Sequence, residues 1–500
     1  MSKYILSVDI GTSSAKTVLF DTNFNIIAHA SKDYDTKHPQ LGWAEQDPEN
    51  WWQALIDNTQ KILSDNNINA IDIAVIGIDS FSTTVVSVDK NGNPLRDAII
   101  WQDRRAVKQA DWIEVNIGSK MWDITGNISD AGNVAPKIMW IKENELDIYK
   151  NTHMFLHANS YLVYRLTGKF SMDKSQVGLS QLCDTKSGKY SDVLIDECKI
   201  DSNKLPDIYE CTDIVGNVNA KAAKLTGLVE GIPVIAGSMD NVAAGLGVGM
   251  YKNGEVFISG GTVTTNNICL TSPKFNKKLH IYPHIVPNTW IMAGCTDYGG
   301  GAVKWLNEEI FGNNDVNEIS ELIEISKTFK SSIIFLPYMV GQRSPLWNNN
   351  TSGVIFGLKP TTTRQDLIRA AIEGTTYGSR EVLSIVEKDG LEISNIRITG
   401  GSSKSTMWVQ TFSDVLNKKI QIPGTLDLPP LGIAIAAAYS IGIIDDFEQA
   451  TNMISINKTF YPNVENQNYY NEMYEVFCNL YQNILKEYDK LSDIDKKYGE

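Results

Sequence analysis

Short apolar runs separated by polar turns alternate with stretches whose apolar residues recur at helical spacing. Ile73 to Ile78, Val85 to Val88 and Ile396 to Thr399 are strand-length runs rich in β-branched residues, which suit a pleated, half-buried surface. Lys90-Asn91-Gly92-Asn93 follows the second of them and predicts a hairpin turn. Asp47-Pro48 predicts a helix start by cap and N1 proline, with Trp51, Leu55, Ile62 and Leu63 on the apolar face. Thr363 and Asp366 form a capping-box pattern ahead of Leu367, Ile368, Ala371, Ile372, Val382 and Leu383, and Gly390 marks the stop. Gly400-Gly401 leads into Trp408, Phe412, Val415 and Leu416, again at helical spacing. The longest apolar stretch, Ile433 to Ile444, is broken by Tyr439, Ser440 and Gly442. It falls short of the ~20 residues of a membrane span and predicts a buried helix. Interleaved strands and helices predict α/β layers.

Two distant stretches share one pattern. Asp9-Ile10-Gly11-Thr12-Ser13-Ser14-Ala15-Lys16 lies between the apolar runs Tyr4 to Val8 and Thr17 to Phe20. Ser259-Gly260-Gly261-Thr262-Val263-Thr264-Thr265 follows Val256-Phe257-Ile258 and precedes Asn266 to Leu270. Both read as strand, Gly-Thr turn, strand. Such a turn is expected to offer bare N–H groups and hydroxyls to an anion. One copy carries little weight, since Gly-Ser-Thr turns are common in hairpins. Two copies half a chain apart suggest a duplicated nucleotide clamp, one jaw per domain. The first jaw adds an acid, Asp9, suited to a metal ion, and a base, Lys16.

Five hundred residues suit two domains of similar size rather than one core. The boundary is expected near the glycine-dense Gly245-Leu246-Gly247-Val248-Gly249, dividing the chain into 1–245 and 246–500. Hydrophobic residues make up 42% and charged residues 21%, the balance of an ordinary soluble protein. A net charge of −14 supplies no basic stripe for nucleic acid. The six cysteines form no C-x-x-C pair, so reduced thiols and a cytoplasmic location are expected. The start of the chain carries no signal-like segment. No G-x-x-x-x-G-K-[ST] and no strand-bound G-x-G-x-x-G occurs.

Further segments strengthen the pattern: Gly42-Trp43-Ala44-Glu45-Gln46-Asp47-Pro48, Ile100-Trp101-Gln102-Asp103-Arg104-Arg105, Leu166-Thr167-Gly168 and Gly237-Ser238-Met239-Asp240-Asn241. Leu336 to Pro345 and Gly400-Gly401-Ser402-Ser403-Lys404-Ser405 follow. In this order and spacing the chain resembles the FGGY carbohydrate kinases of the actin-like ATPase superfamily, from Asp9 to about Ala438. The resemblance implies two ribonuclease H-like domains with a nucleotide and sugar cleft between them. It implies ATP and Mg2+ as cofactors, a small-molecule sugar as partner, neither nucleic acid nor membrane, and a homodimer as candidate assembly. Asp240 then matches the catalytic base and Asp9 the acid near magnesium. Gly11, Thr12, Ser13, Ser14 and Lys16 match the first phosphate turn, and Gly261 and Thr262 the second. Gly300, Gly401 and Ser405 match positions lining the nucleotide. Trp101, Asp103, Asp240 and Asn241 match the sugar side. Read alone, Asp240 is a helix N-cap, Trp101 a core residue and Lys404 a solvated lysine.

The pattern departs from the best-known subfamilies where the sugar is chosen. Xylulokinases carry Gln-Met-His-Gly where this chain has Phe81-Ser82-Thr83-Thr84, and glycerol kinases carry Arg-Glu where it has Ser82 and Thr83. Gly132 stands for the glycerol-contacting tyrosine, Gln342 for a glutamate, and Asn348-Asn349 for an aspartate. Short hydroxyls at Ser82 and Thr83 leave room and hydrogen-bond polyols. The expected activity is phosphorylation of an open-chain ketose, with D-xylulose as the default. Gluconate, L-ketose, erythritol or glycerol kinases of the same family are the alternatives, and an actin-like ATPase without sugar transfer is the alternative of a different class.

Overall fold

Two seven-stranded sheets carry the molecule, in a computed structural model that describes residues 3–313, 321, 323–324, 332–425 and 427–498. The first sheet opens with β1 (Tyr4–Ile10), β2 (Ser14–Asp21) and β3 (Ile26–Asp33), an antiparallel meander. β4 (Ile73–Ser80) runs parallel to β1. β5 (Ile214–Asn217) and β6 (Pro233–Ile235) extend the sheet in the order β3-β2-β1-β4-β6-β5. β7 (Ser238–Met239) adds to the end of β4.

The second sheet comprises β8 (Val256–Gly260), β9 (Thr264–Leu270), β10 (His280–Pro283), β11 (Trp290–Thr296), β12 (Ile396–Thr399), β13 (Ile420–Pro423) and β14 (Ile456–Phe460). Its order is β10-β11-β9-β8-β12-β13-β14. From β11 onward, neighbouring strands pair antiparallel, antiparallel, parallel, parallel and antiparallel. The first sheet, read from β3, has the same succession. The duplication suggested by the two Gly-Thr turns thus extends to six strands of each sheet.

Helices cover both sheets. α1 (Pro48–Asp65) is capped by Asp47, whose carboxylate accepts the Glu49 N–H, and it buries Trp51, Trp52, Leu55 and Ile62 against β2 and β3. α2 (Val134–Asn144), α3 (Asp240–Gly247) and α4 (Gly299–Trp305) lie near the cleft. α5 (Arg364–Lys388) carries the full capping box of Thr363 and Asp366 and packs on β9 and β11. α6 (Thr406–Leu416), α7 (Leu428–Ser440) and α8 (Gln467–Tyr498) complete the second half. Among the described residues no helix is long and apolar enough to cross a membrane.

The turn after Val86–Val88 forms, with Gly92 at φ 75°; Val88 bridges Pro94 antiparallel, and the N–H groups of Asp89 and Leu95 bond the carbonyls of Asn93 and Ser87 at 3.0 and 2.9 Å. The strand also pairs with Met154–Leu156. The glycines at 245–249 also have a packing role. Gly245 and Gly247 lie within α3, which packs on α7. A Cβ on Gly247 would stand 2.1 Å from the Leu428 carbonyl oxygen, and one on Gly432 1.8 Å from that of Ala243. The glycines are there for backbone-to-backbone approach.

α7 follows strands of the second sheet yet packs on β1 and β4 of the first. Its Ile433 and Ile435 share a core with Ile5, Val18, Phe20 and Val75. Each buried aliphatic side chain of this kind contributes ~1.5–3 kcal/mol. Gly432→Ala is therefore expected to cost at least ~1–3 kcal/mol by overpacking, read as a lowered urea midpoint. An unchanged midpoint would mean that the two helices separate without strain.

Candidate active site

Three acids meet at the carboxyl ends of neighbouring strands. In register, Asp9 on β1 stands beside Asp79 on β4, and Asp79 beside Ser238 on β7. Asp240 follows two residues later, at the first position of α3. It is not the N-cap that the residue read alone suggests: Met239 holds that place, and among the described residues the Asp240 carboxylate accepts only the neighbouring Asn241 N–H at 2.5 Å. Burial, and then the charge of Asp9, push Asp240 up to about 7. Burial also raises Asp9, against the pull of Asp79 and Lys16. Asp79 is fully buried and held well above the carboxylate range by burial and by the charges of Asp9 and Asp240. Among the described residues no side chain other than Asp9 hydrogen-bonds its oxygens. Carboxylates this close and this dry cannot all ionise.

The first Gly-Thr turn is committed more fully than expected. The Gly11 N–H is not bare; it closes the turn on the Ser14 carbonyl at 3.0 Å. The Thr12 carbonyl accepts from Gln46 Nε2 at 2.6 Å, and its hydroxyl from Trp101 Nε1 at 3.0 Å. Ser13 is exposed and Ser14 half-buried. Lys16 pairs with Asp427, the residue just before α7. In the second turn the Gly261 N–H likewise bonds inward, to Val263 at 3.1 Å. The N–H groups of Gly300 and Gly301 at the start of α4 reach the carbonyls of Gly261 and Thr262 at 2.9 and 3.2 Å. A Cβ on Gly300 would lie 2.6 Å from the Gly261 oxygen. Gly400, at φ 83°, brings Gly401 beside the same turn. Ser405 caps α6 by accepting the Trp408 N–H at 3.2 Å, and its hydroxyl donates to Glu324 at 3.0 Å.

Beside Asp240 lies a cavity of about 240 Å³ lined from both halves of the chain. Ser82, Thr83, Trp101 and Asn241 are on its wall, as the sequence suggests. Asn241 Nδ2 donates to Asn267 Oδ1 at 2.7 Å and to the Tyr282 hydroxyl at 2.9 Å. Gly132 also lines it, and a Cβ there would meet Asp130 at 2.9 Å and Arg104 at 3.0 Å. Arg104 is paired with Asp130, and Arg343 with Asp297, through Nε at 2.7 Å. His280, edge-on to Trp347, is pushed down to about 4 by burial and stays neutral.

Asp103 is not brought to this cavity. It is fully buried, accepts the Ala44 N–H at 2.6 Å and binds Arg105 through Nε and Nη2. With its oxygens so occupied it shapes the segment that carries Trp101. Gln342 is also structural: its amide donates to the carbonyls of Cys295 and Ser344 at 2.6 and 2.9 Å, which a glutamate cannot do.

Sequence reasoning missed Asp79, Asp427, Asn267, Tyr282, Arg343 and the Arg104–Asp130 pair. Asp79 alone left a signal, an acid directly after an apolar strand, as at Asp9. The others are set by long-range packing.

Two sheets with one strand succession, each with a Gly-Thr turn joining two of its antiparallel strands, mark the actin-like ATPase fold class. The chain belongs to the FGGY family of carbohydrate kinases. Residues 4–247 match the family's N-terminal domain and residues 256–441 its C-terminal domain. It is an ATP-dependent sugar phosphotransferase. It is 30% identical over 490 residues to the xylulose kinase of Lactococcus lactis, covering 96% of this chain and 97% of that one. It is 26% identical over 509 residues to the gluconokinase of Bacillus subtilis, covering 99% of each. A solved structure of a xyloylose kinase from Brucella ovis superimposes with a TM-score of 0.91 at 27% identity, over 97% of this chain and 99% of that one.

Asp240 has a stability consequence. Its folded value, about 7, exceeds the ordinary 3.8, so folding takes up a proton and stability falls as pH rises between about 4 and 7. Asp240→Asn is expected to raise Tm at pH 7 and to match the parent near pH 4. A Tm difference that does not vary with pH would contradict the buried acid.

Proposed function

We propose that the chain transfers the terminal phosphoryl group of ATP to a hydroxyl of a neutral open-chain ketose, with D-xylulose as the representative substrate. The observation that carries this reading is the cavity next to Asp240, whose two arginines are already neutralised by Asp130 and Asp297. A cavity with its charges paired suits hydroxyl groups, which both donate and accept. Among the described residues it has no unpaired cation for a carboxylate, which weighs against gluconate despite the gluconokinase relative.

In this reading Asp240 accepts the proton of the sugar hydroxyl. A base poised near neutrality is effective for that task. Thr12, Ser13, Ser14 and Lys16 face the phosphates from one jaw, and Gly261 and Thr262 from the other. Gly300 and Gly401 supply flat backbone beside the nucleotide. Ser405, whose hydroxyl caps α6, positions that wall. Asn241 and Trp101 orient the sugar. Residues 1–245 would form the sugar-side domain and 246–500 the nucleotide-side domain, with α7 returning to the first sheet.

The acids fit a magnesium ion. Burial raises the proton affinity of both Asp9 and Asp79, and the charge of Asp9 raises that of Asp79 further; a divalent cation offsets that concentration of negative charge. Asp9 would hold it, with Asp79 behind. Among the described residues no group of three or more His, Cys, Asp or Glu is placed to hold a metal, and magnesium bound through one or two carboxylates, phosphate and water needs none. When bound, magnesium neutralises charge on the transferring phosphoryl group.

A coupled assay of ATP turnover across ketoses, pentitols, gluconate and glycerol tests the substrate. Ketoses are expected to lead and glycerol to lag, and gluconate as the best substrate would overturn the neutral-cavity reading. Asp240→Asn is expected to lower kcat by at least ~10²-fold, the usual worth of a positioned base, while ATP still binds. In the parent, kcat/KM is expected to decline as pH falls below about 7, since a protonated base cannot act. Near-parental turnover by Asp240→Asn would remove it as the base.

A further inference from the structure

Lys137, on α2, is fully buried, and its ammonium plays no part in the chemistry described so far. Its Nζ donates to the Thr83 carbonyl at 2.7 Å and to the Ile100 carbonyl at 2.9 Å. Those carbonyls belong to two separate loops. One carries Ser82 and Thr83, and the other carries Trp101, the residue after Ile100.

Thr83 sits at φ 51°. This left-handed conformation is an outlier for a β-branched residue and persists only where neighbours impose it. The residues around it are held separately. The Phe81 N–H bonds the Ile10 carbonyl at 3.1 Å, and the Thr84 N–H bonds His157 Nδ1 at 3.3 Å. The carbonyl of Thr83 itself is gripped by Lys137. We propose that Lys137 is a positioning residue for the sugar: it ties the Thr83 loop to the Trp101 loop and so sets the two side chains that face the acceptor. This inference rests on the reading of the 240 Å³ cavity as the sugar site.

The surroundings agree with a hydrogen-bonding role rather than an ion-pairing one. Asp103 and Asp130 face the ammonium, but Arg105 and Arg104 already occupy them. His157, on the other side, is kept neutral by burial. Burial pushes Lys137 down to about 7. Both its protonated and neutral forms carry the two N–H donors that the carbonyls require.

A double-mutant cycle tests this. A sugar turned over by the unmutated enzyme is identified first, and the cycle pairs Lys137→Met with Thr83→Val. Each single variant is expected to raise the sugar KM or lower kcat/KM by about 10-fold, the order of a lost buried hydrogen bond, with KM for ATP unchanged. The effects are expected not to add: without the tie, Thr83→Val costs little more. Lys137→Arg, which keeps the donors, is expected to recover part of the loss. Should Lys137→Met fail to fold, Lys137→Gln, one bond shorter, carries the same cycle. Additive effects, or equal losses on ATP and sugar, would overturn the positioning role while leaving the sugar site intact. If no ketose or polyol is turned over at all, the reading of the cavity fails first and this inference falls with it.

Discussion

The contact between α3 and α7 is backbone against backbone, and the two sheets take their relative position from it. Gly247 and Gly432 each leave a carbonyl oxygen in the space that a side chain would fill. α7 emerges after β13 of one sheet and lies on β1 and β4 of the other. Any residue larger than glycine at these places would spread the sheets and, with them, the two Gly-Thr turns. The same contact sets Asp240, which begins α3, relative to the Lys16–Asp427 pair at the start of α7. Electrostatics at the cleft therefore depends on a steric condition some distance behind it.

The two sides of the cleft handle charge in opposite ways. Asp9, Asp79 and Asp240 are crowded together and dry, so burial raises each one's affinity for a proton, and the charge of Asp9 adds to the effect at Asp79 and Asp240. That arrangement is unfavourable to folding, as is common where a site is built for chemistry. Around the neighbouring cavity each arginine has its own carboxylate. One side is left unbalanced and the other is balanced before any ligand arrives.

Local rules made much of this legible. Asp47-Pro48, Thr363 with Asp366, and the glycines of both turns act over a few residues, and the helices and hairpins form where they point. What sequence reading misjudged depends on what lies across the fold. Asp103 looks like a ligand until Arg105 takes up its oxygens. Asp240 looks like a cap because one residue decides between Ncap and N1, and only the backbone angles of Met239 settle it. Lys137 leaves no mark at all, since its two partners are carbonyls, which every residue has.

The hydrogen bond from Trp101 to the Thr12 hydroxyl joins the wall of the cavity to the first Gly-Thr turn. Whatever displaces one displaces the other, so occupancy of the cavity and occupancy of the turn belong to one thermodynamic cycle. In such a cycle the help that one ligand gives its neighbour is returned in equal measure.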